Sequence, residues 1–415
     1  MGEIIVDIPT YFICPISLDI MKDPVTLASG ITYDRESIEQ WLSSSSDSSS
    51  SYCPVTKLPL HRDTDLTPNH TLRRLIQAWC TSNGVERMPT PKSPLNKGHV
   101  HKLIEELSIP RLQLKSLTKL AVLASESDKN RKCMVEAGLT KAVVSFILKT
   151  SAKKTCVMMV NSGFEEALSI LHQILRVTND EFSVLLMENQ EFIDLLIGVL
   201  RDIPKDNNDL VRTHAVSILK ATIEVSSIGI LQKLNLDFFK TIVDIVRERV
   251  SHQATKCALH ILFESCQWSQ NKLKIIEAGA VLELIELELT TPEKRMTELI
   301  FGILASVCSC ADGRAKFLEH AGGIALISKR MIRVSPLLDD FAIKILDSIC
   351  KFSATSQVLQ EMLNVGGVSK LCMVLQADNA VQVKDMAKSV LKLHSSFWSS
   401  SPCIHVYLLT REIAI

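Results

Sequence analysis

Cys14 and Cys53 each open a Cys-Pro stretch, ICPISLDI (Ile13 to Ile20) and CPVTKLPL (Cys53 to Leu60). Thiols so placed invite two chemistries, zinc ligation and nucleophilic attack. A zinc site needs four Cys or His ligands in close, paired spacing, and neither cysteine has a C-x-x-C partner. Cys308 and Cys310 share a C-x-C without further ligands. No metal and no cofactor is therefore expected. The other cysteines are scattered through apolar helical segments, and nothing there supports covalent catalysis.

Turn and cap signals outline the elements around these two stretches. Pro24 to Leu27 and Ile31 to Tyr33 are short extended runs joined through Ala28-Ser29-Gly30, which predicts a small hairpin. Asp34 stands where an N-cap belongs, ahead of a helix running through Leu42. After Pro68, Asn69 is placed to cap a second helix. Its Leu72, Leu75, Ile76 and Trp79 recur at helical spacing and predict one buried face. A unit this small buries little core and needs staples. The candidates are Asp19, Asp23, Ser29, Asp34, Asn69, Arg73 and Arg74, which either tie the long loops together or sit exposed. Between the central helix and Cys53, the serine-rich run Ser43 to Tyr52 has little apolar surface to bury and predicts a loop.

The stretches Ile13 to Leu42, Cys53 to Leu60 and Leu66 to Trp79 together resemble a zinc RING from which the ligands have gone. Only Cys14 and Cys53 stand at ligand positions. That combination resembles the U-box family of ubiquitin-protein ligases, in which salt bridges and hydrogen bonds do the work of the zinc. The resemblance implies a ligase without a nucleophile of its own. A conjugating enzyme carries ubiquitin as a thioester, and the ligase orients it towards a substrate lysine. It also implies a docking surface made of Ile16 and Leu18 in the first loop, Trp41 at the end of the central helix and Pro54 in the second loop. The alternative is that these four belong to the module's own core. Lys57 matches the position of a cation that bridges conjugating enzyme and ubiquitin. That residue is often arginine, whose planar fork bridges two acceptors better than a lysine does.

The chain has 415 residues, room for two or three domains. Lys+Arg and Asp+Glu both total 46, so net charge points neither to nucleic acid nor to an anionic membrane surface. A hydrophobic share of 46% with only 5% aromatics favours helices packed on helices. No apolar run reaches membrane-spanning length, and Glu3 and Asp7 replace the basic region of a signal peptide. A cytoplasmic protein with reduced cysteines is expected.

Residues 8–83 are thus read as a U-box and 84–102 as a flexible linker, rich in proline and glycine and carrying Thr90-Pro91 and Ser93-Pro94 as candidate phosphorylation sites. Residues 103–400 are read as helical repeats and 401–415 as a tail. In the repeats a turn marker recurs, as EAGLTKAV, EAGAVLEL, HAGGIALI and VGGVSKLC. Gly279, Gly322 and Gly366 lie 43 and 44 residues apart, a period in the armadillo/HEAT range. A glycine there suits the left-handed conformation that ends a helix. Ala215, Ala258, Leu299, Ala342 and Ala387 keep the same beat, and the region between Ser151 and Leu210 is irregular.

This array resembles armadillo repeats, giving a mostly α fold: a small α+β U-box followed by an α-helical solenoid. A U-box followed by armadillo repeats resembles the plant ligases of immune and stress signalling. In armadillo repeats the third helix lines a groove that binds extended partners. Matching that helix here puts Ser217, His260, Phe301, Lys344 and Ser389 on one ladder and Glu264 and Ser348 on the next. The expected activity is transfer of ubiquitin to substrates held in that groove. The rival reading is a non-catalytic armadillo adaptor with a degenerate U-box. Partners are a charged conjugating enzyme and a protein substrate, with neither nucleic acid nor an integral membrane contact; self-association stays open.

Overall fold

A computed structural model describes residues 8–44, 51–60, 65–83, 95–151, 163–175, 177, 190–203, 208–290, 293–399 and 402. The chain divides into two compact units between Pro94 and Leu95. Thr90, Ser93, the tail apart from residue 402 and most of the serine-rich run lie outside the described residues.

In the first unit, β1 (Pro24–Thr26) pairs antiparallel with β2 (Thr32–Asp34), Val25 facing Tyr33. Gly30, at φ +77°, closes the predicted hairpin by donating its N–H to the Leu27 carbonyl, a backbone conformation that suits glycine. The helix α1 (Arg35–Ser44) follows directly, then β3 (Ser51–Tyr52) and β4 (Pro59–Leu60), which pair around the second loop. The strand β5 (Thr67–Pro68) returns to the free edge of β1, and α2 (His70–Ser82) ends the unit. Phe12, Cys14, Met21, Val25, Leu27, Tyr33, Ile38, Cys53, Leu60, Ile76 and Cys80 form its core.

Two expectations need correction here. Leu75 is exposed; the buried positions of α2 are Ile76 and Cys80, flanked by half-buried Leu72 and Trp79. Those four follow a helical stripe that leaves Leu75 a hundred degrees to one side. Asp34 precedes α1, but its Oδ1 accepts the backbone N–H groups of Lys22 and Asp23, both at 2.8 Å. It ties the first long loop to the hairpin.

The second unit begins earlier than the linker expectation allows. Asn96 accepts the Gly98 N–H and caps a helix over Lys97–Glu106, because glycine in a first turn is tolerated once a good cap precedes it. Beyond it, the third helices of successive repeats pack side by side: Gln113–Glu126, Phe164–Ile174, Asp209–Val225, His252–Ser265, Lys294–Cys308, Pro336–Phe352 and Val381–Leu393. The marker glycines Gly138, Gly279 and Gly366 are left-handed, at φ +80°, +84° and +76°. Gly322 is not, at φ −91°. There the His320 ring accepts the Gly322 N–H and its carbonyl accepts that of Gly323, which turns the chain without a positive φ.

The third helices are stitched end to side. The carbonyls of Cys266, Cys308 and Cys350, 42 residues apart, accept Ser306 Oγ (3.0 Å), Ser348 Oγ (2.7 Å) and His394 Nε2 (2.9 Å) from the following repeat. Each bond satisfies a carbonyl that a helix end leaves unpaired. Among the described residues no single helix is long and apolar enough to cross a membrane.

Trp398 closes the array. It is fully buried, donates Nε1–H to the Leu391 carbonyl at 3.1 Å and meets His394 edge-on. The ring packs at the end of the last described repeat helix, Val381–Leu393. Trp398→Ala is expected to lower the stability of the array by about 3–5 kcal/mol, read from urea unfolding followed by circular dichroism. An unchanged midpoint would remove Trp398 from that role.

Candidate functional site

The two Cys-Pro stretches fold into the same turn. Cys14 N–H reaches the Asp19 carbonyl (2.8 Å) and Leu18 N–H returns to the Cys14 carbonyl (2.9 Å). Cys53 N–H reaches the Leu58 carbonyl (2.8 Å) and Lys57 N–H returns to the Cys53 carbonyl (2.9 Å). The tip residues Leu18 and Lys57 are both left-handed, at φ +59° and +57°. That conformation costs a non-glycine residue about 1–2 kcal/mol, and such outliers concentrate at functional loops.

The predicted docking residues divide by exposure. Leu18 is 75% exposed and Lys57 is also on the surface. Trp41 keeps 41% of its surface in solvent while its Nε1–H donates to the Tyr52 carbonyl at 3.1 Å, which joins α1 to the base of the second loop. Ile16 packs in part on the module's core, and Pro54 is half-buried.

The polar staples converge on Asp23. Its Oδ2 accepts Arg35 Nε–H at 2.7 Å, its Oδ1 lies 3.9 Å from Arg73 Nη1, and its N–H is held by Asp34. Asn69 caps α2 through the Leu72 N–H (3.0 Å), reaches Thr26 Oγ1 (3.4 Å), and donates its own N–H to the Pro24 carbonyl (2.8 Å). Ser29 Oγ lies 3.3 Å from Cys53 Sγ. Asp19 and Arg74 take the exposed alternative, with no side-chain partner described among these residues. Sequence reasoning missed Arg35, Tyr33 and the sulfurs. Tyr33 is buried, its hydroxyl 3.1 Å from Cys53 Sγ, and it accepts the Val55 N–H at 3.3 Å. Cys14 Sγ accepts the Asp34 N–H at 3.3 Å. The available signal was the Cys-Pro repeat itself, which placed a thiol at the root of each loop.

Burial alone would push the Cys53 thiol up, but hydrogen bonds from Ser29, Thr56 and Tyr33 outweigh it and bring the pKa down to about 6. Cys14 is also lowered: burial opposes the shift, and the N–H groups of Ser17 and Asp34 prevail. Among the described residues no three His, Cys, Asp or Glu side chains gather as metal ligands would.

The array's groove ladder is only partly as predicted. Phe301 is fully buried. Its neighbour Gly302 is buried as well, and an added Cβ there would collide with the Phe263 ring and lie 3.2 Å from that of Phe341. Those half-buried rings, from the flanking helices, supply the aromatic surface expected of Phe301. Ser217 is also buried, its hydroxyl spent on the Thr213 carbonyl at 2.7 Å. Ser348 joins the stitching described above and receives Arg314 Nη1–H at 3.4 Å. His260 is half-buried, and burial followed by the Lys220 charge holds its imidazole below the usual range. Glu264 accepts Gln267 at 3.1 Å, and Lys344 is exposed and paired with Asp340 at 2.6 Å. Ser389 borders a shallow depression with Lys388 and Lys392.

The U-box domain family matches residues 8–85, and the plant U-box protein ARM repeat region matches residues 99–414. This chain belongs to the plant U-box armadillo-repeat ubiquitin ligases. It is 40% identical to E3 ubiquitin-protein ligase PUB24 of Arabidopsis thaliana over 99% of this chain and 97% of the relative. Similarity to E3 ubiquitin-protein ligase PUB22 of the same plant is 38% over 96% and 97%. Among solved structures, one from work on the cadherin–β-catenin interaction superposes with a TM-score of 0.58 at 13% identity, covering 78% of this chain and 58% of that one. An engineered protein gives 0.51 at 20% identity, over 72% and 68%. Both support the armadillo fold and only the fold. As a U-box ligase the chain is a ubiquitin transferase.

Proposed function

We propose that the ligase docks a ubiquitin-charged conjugating enzyme through Leu18 and Trp41, with Ile16 and Pro54 at the edge of the contact and Lys57 reaching towards the bound ubiquitin. The observation that carries this reading is the exposure of a leucine at a strained loop tip and a tryptophan pinned by its indole N–H, in a module that has a core to bury them in. A substrate lysine then attacks the thioester carbonyl, the conjugating enzyme's thiolate leaves, and an isopeptide bond forms. The ligase contributes orientation and proximity, worth several kcal/mol. The armadillo groove, with His260, Phe263, Glu264, Phe341, Lys344 and Ser389, holds the substrate. A role in plant defence or stress signalling in the cytoplasm fits the family resemblance.

The adaptor alternative requires a decayed U-box, and the network around Asp23, Asp34 and Cys53 supports an intact one. Purified activating enzyme, conjugating enzyme, ATP and this ligase are expected to give ubiquitin ladders that a metal chelator leaves unchanged. Deleting the array is expected to spare self-modification and abolish substrate choice. Ladders lost on chelation, or substrate modification unaffected by the deletion, would each overturn the corresponding part.

A further inference from the structure

Cys53 lies at the root of the second loop, fully buried, where an inert small side chain would serve packing alone. Its surroundings are not those of an inert thiol. Tyr33 Oη is occupied as an acceptor by the Val55 N–H (3.3 Å), so its own proton is free for Cys53 Sγ at 3.1 Å. Ser29 Oγ stands 3.3 Å from the same sulfur. Both hydroxyls come from the β1–β2 hairpin, whereas Cys53 belongs to the loop that carries Pro54 and Lys57. The corresponding sulfur in the first loop, that of Cys14, takes a backbone N–H from Asp34 instead. The second loop is thus wired to the hairpin by side chains, at the residue whose carbonyl receives the Lys57 N–H and fixes its left-handed turn.

We propose that Cys53 is a positioning residue for ubiquitin transfer: by accepting the Tyr33 and Ser29 hydroxyls, its sulfur sets the second loop so that Lys57 meets the docked, charged conjugating enzyme. This rests on the role given to Lys57 above. A sulfur with thiolate character is a much better acceptor than a neutral thiol, and the downward shift of Cys53 agrees with that use. Docking falls chiefly on Leu18 in the first loop and Trp41 in α1, with Pro54 of the second loop only at its edge. Cys53 therefore acts on the transfer step more than on affinity.

The test uses the full chain and follows discharge of ubiquitin from a conjugating-enzyme thioester to free lysine, over a range of ligase concentrations. Cys53→Ala is expected to lower the saturating rate by about tenfold, with the half-saturating concentration within about twofold of wild type. Cys53→Ser keeps an acceptor and is expected to recover most of the rate. Tyr33→Phe removes one donor and is expected to lose about threefold, again at saturation. In Lys57→Ala the further loss on adding Cys53→Ala is expected to vanish. A wild-type saturating rate in Cys53→Ala, or a loss confined to half-saturation, overturns the inference. If Cys53→Ala shows no cooperative melting of the U-box, Tyr33→Phe decides by the same criterion. A Lys57→Ala variant as fast as wild type overturns instead the reading of Lys57 on which the inference rests.

Discussion

Trp41→Ala is expected to abolish ubiquitin transfer while leaving a folded U-box. The indole offers 41% of its surface to solvent at the end of α1, beside the second loop. An aromatic side chain at the centre of a small, transient interface typically accounts for 2–4 kcal/mol when truncated, roughly a 30- to 1000-fold loss of affinity. Inside the module, the substitution removes the hydrogen bond from Nε1 to the Tyr52 carbonyl, worth about 1 kcal/mol, together with the packing of the covered part of the ring. Binding of uncharged conjugating enzyme, measured calorimetrically, should therefore fall far more than the melting temperature. Trp41→Phe helps to separate the two effects, since it keeps an aromatic ring and removes the indole N–H. A collapsed melting transition in Trp41→Ala, with loss of helical signal, would make Trp41 a core residue and sink the docking assignment.

Asp34→Ala is expected to unfold the U-box and spare the array. The carboxylate's Oδ1 accepts two backbone N–H groups, from Lys22 and Asp23, and alanine leaves both without that partner. Stranding a buried donor costs about 1–3 kcal/mol; with the part-buried Asp23 N–H stranded and the more exposed Lys22 N–H weakened, the loss takes a large share of the few kcal/mol that a core of this size supplies. The same loss releases Asp23 from the position in which it meets Arg35 and Arg73. Limited proteolysis should show early cleavage within residues 8–83, followed by a resistant fragment corresponding to the array. Asp34→Asn retains an acceptor oxygen and should recover much of the stability. Equal protease resistance of wild type and Asp34→Ala in the first unit would contradict this account.

What the sequence determined by itself was whatever depends on local chemistry and spacing. The hairpin around Gly30, the Asn69 cap, the helical repeat and three left-handed marker glycines all follow from residue type and near neighbours. The U-box resemblance was legible for the same reason, since it rests on contiguous motifs. Tertiary structure alone decided which way side chains turned once two choices were locally equal. Asp34 was placed to cap α1 and was taken instead by N–H groups eleven and twelve residues away. Leu75 lies one residue, about 100° on a helix, from buried Ile76, and Phe301 sits in the core instead of on the groove face. A repeat period of 41 to 45 residues does not fix the phase that finely, and only the packing of neighbouring helices does. Tyr33 and Ser29 reach Cys53 from 20 and 24 residues away, and no local pattern announces an acceptor sulfur whose donors arrive by folding.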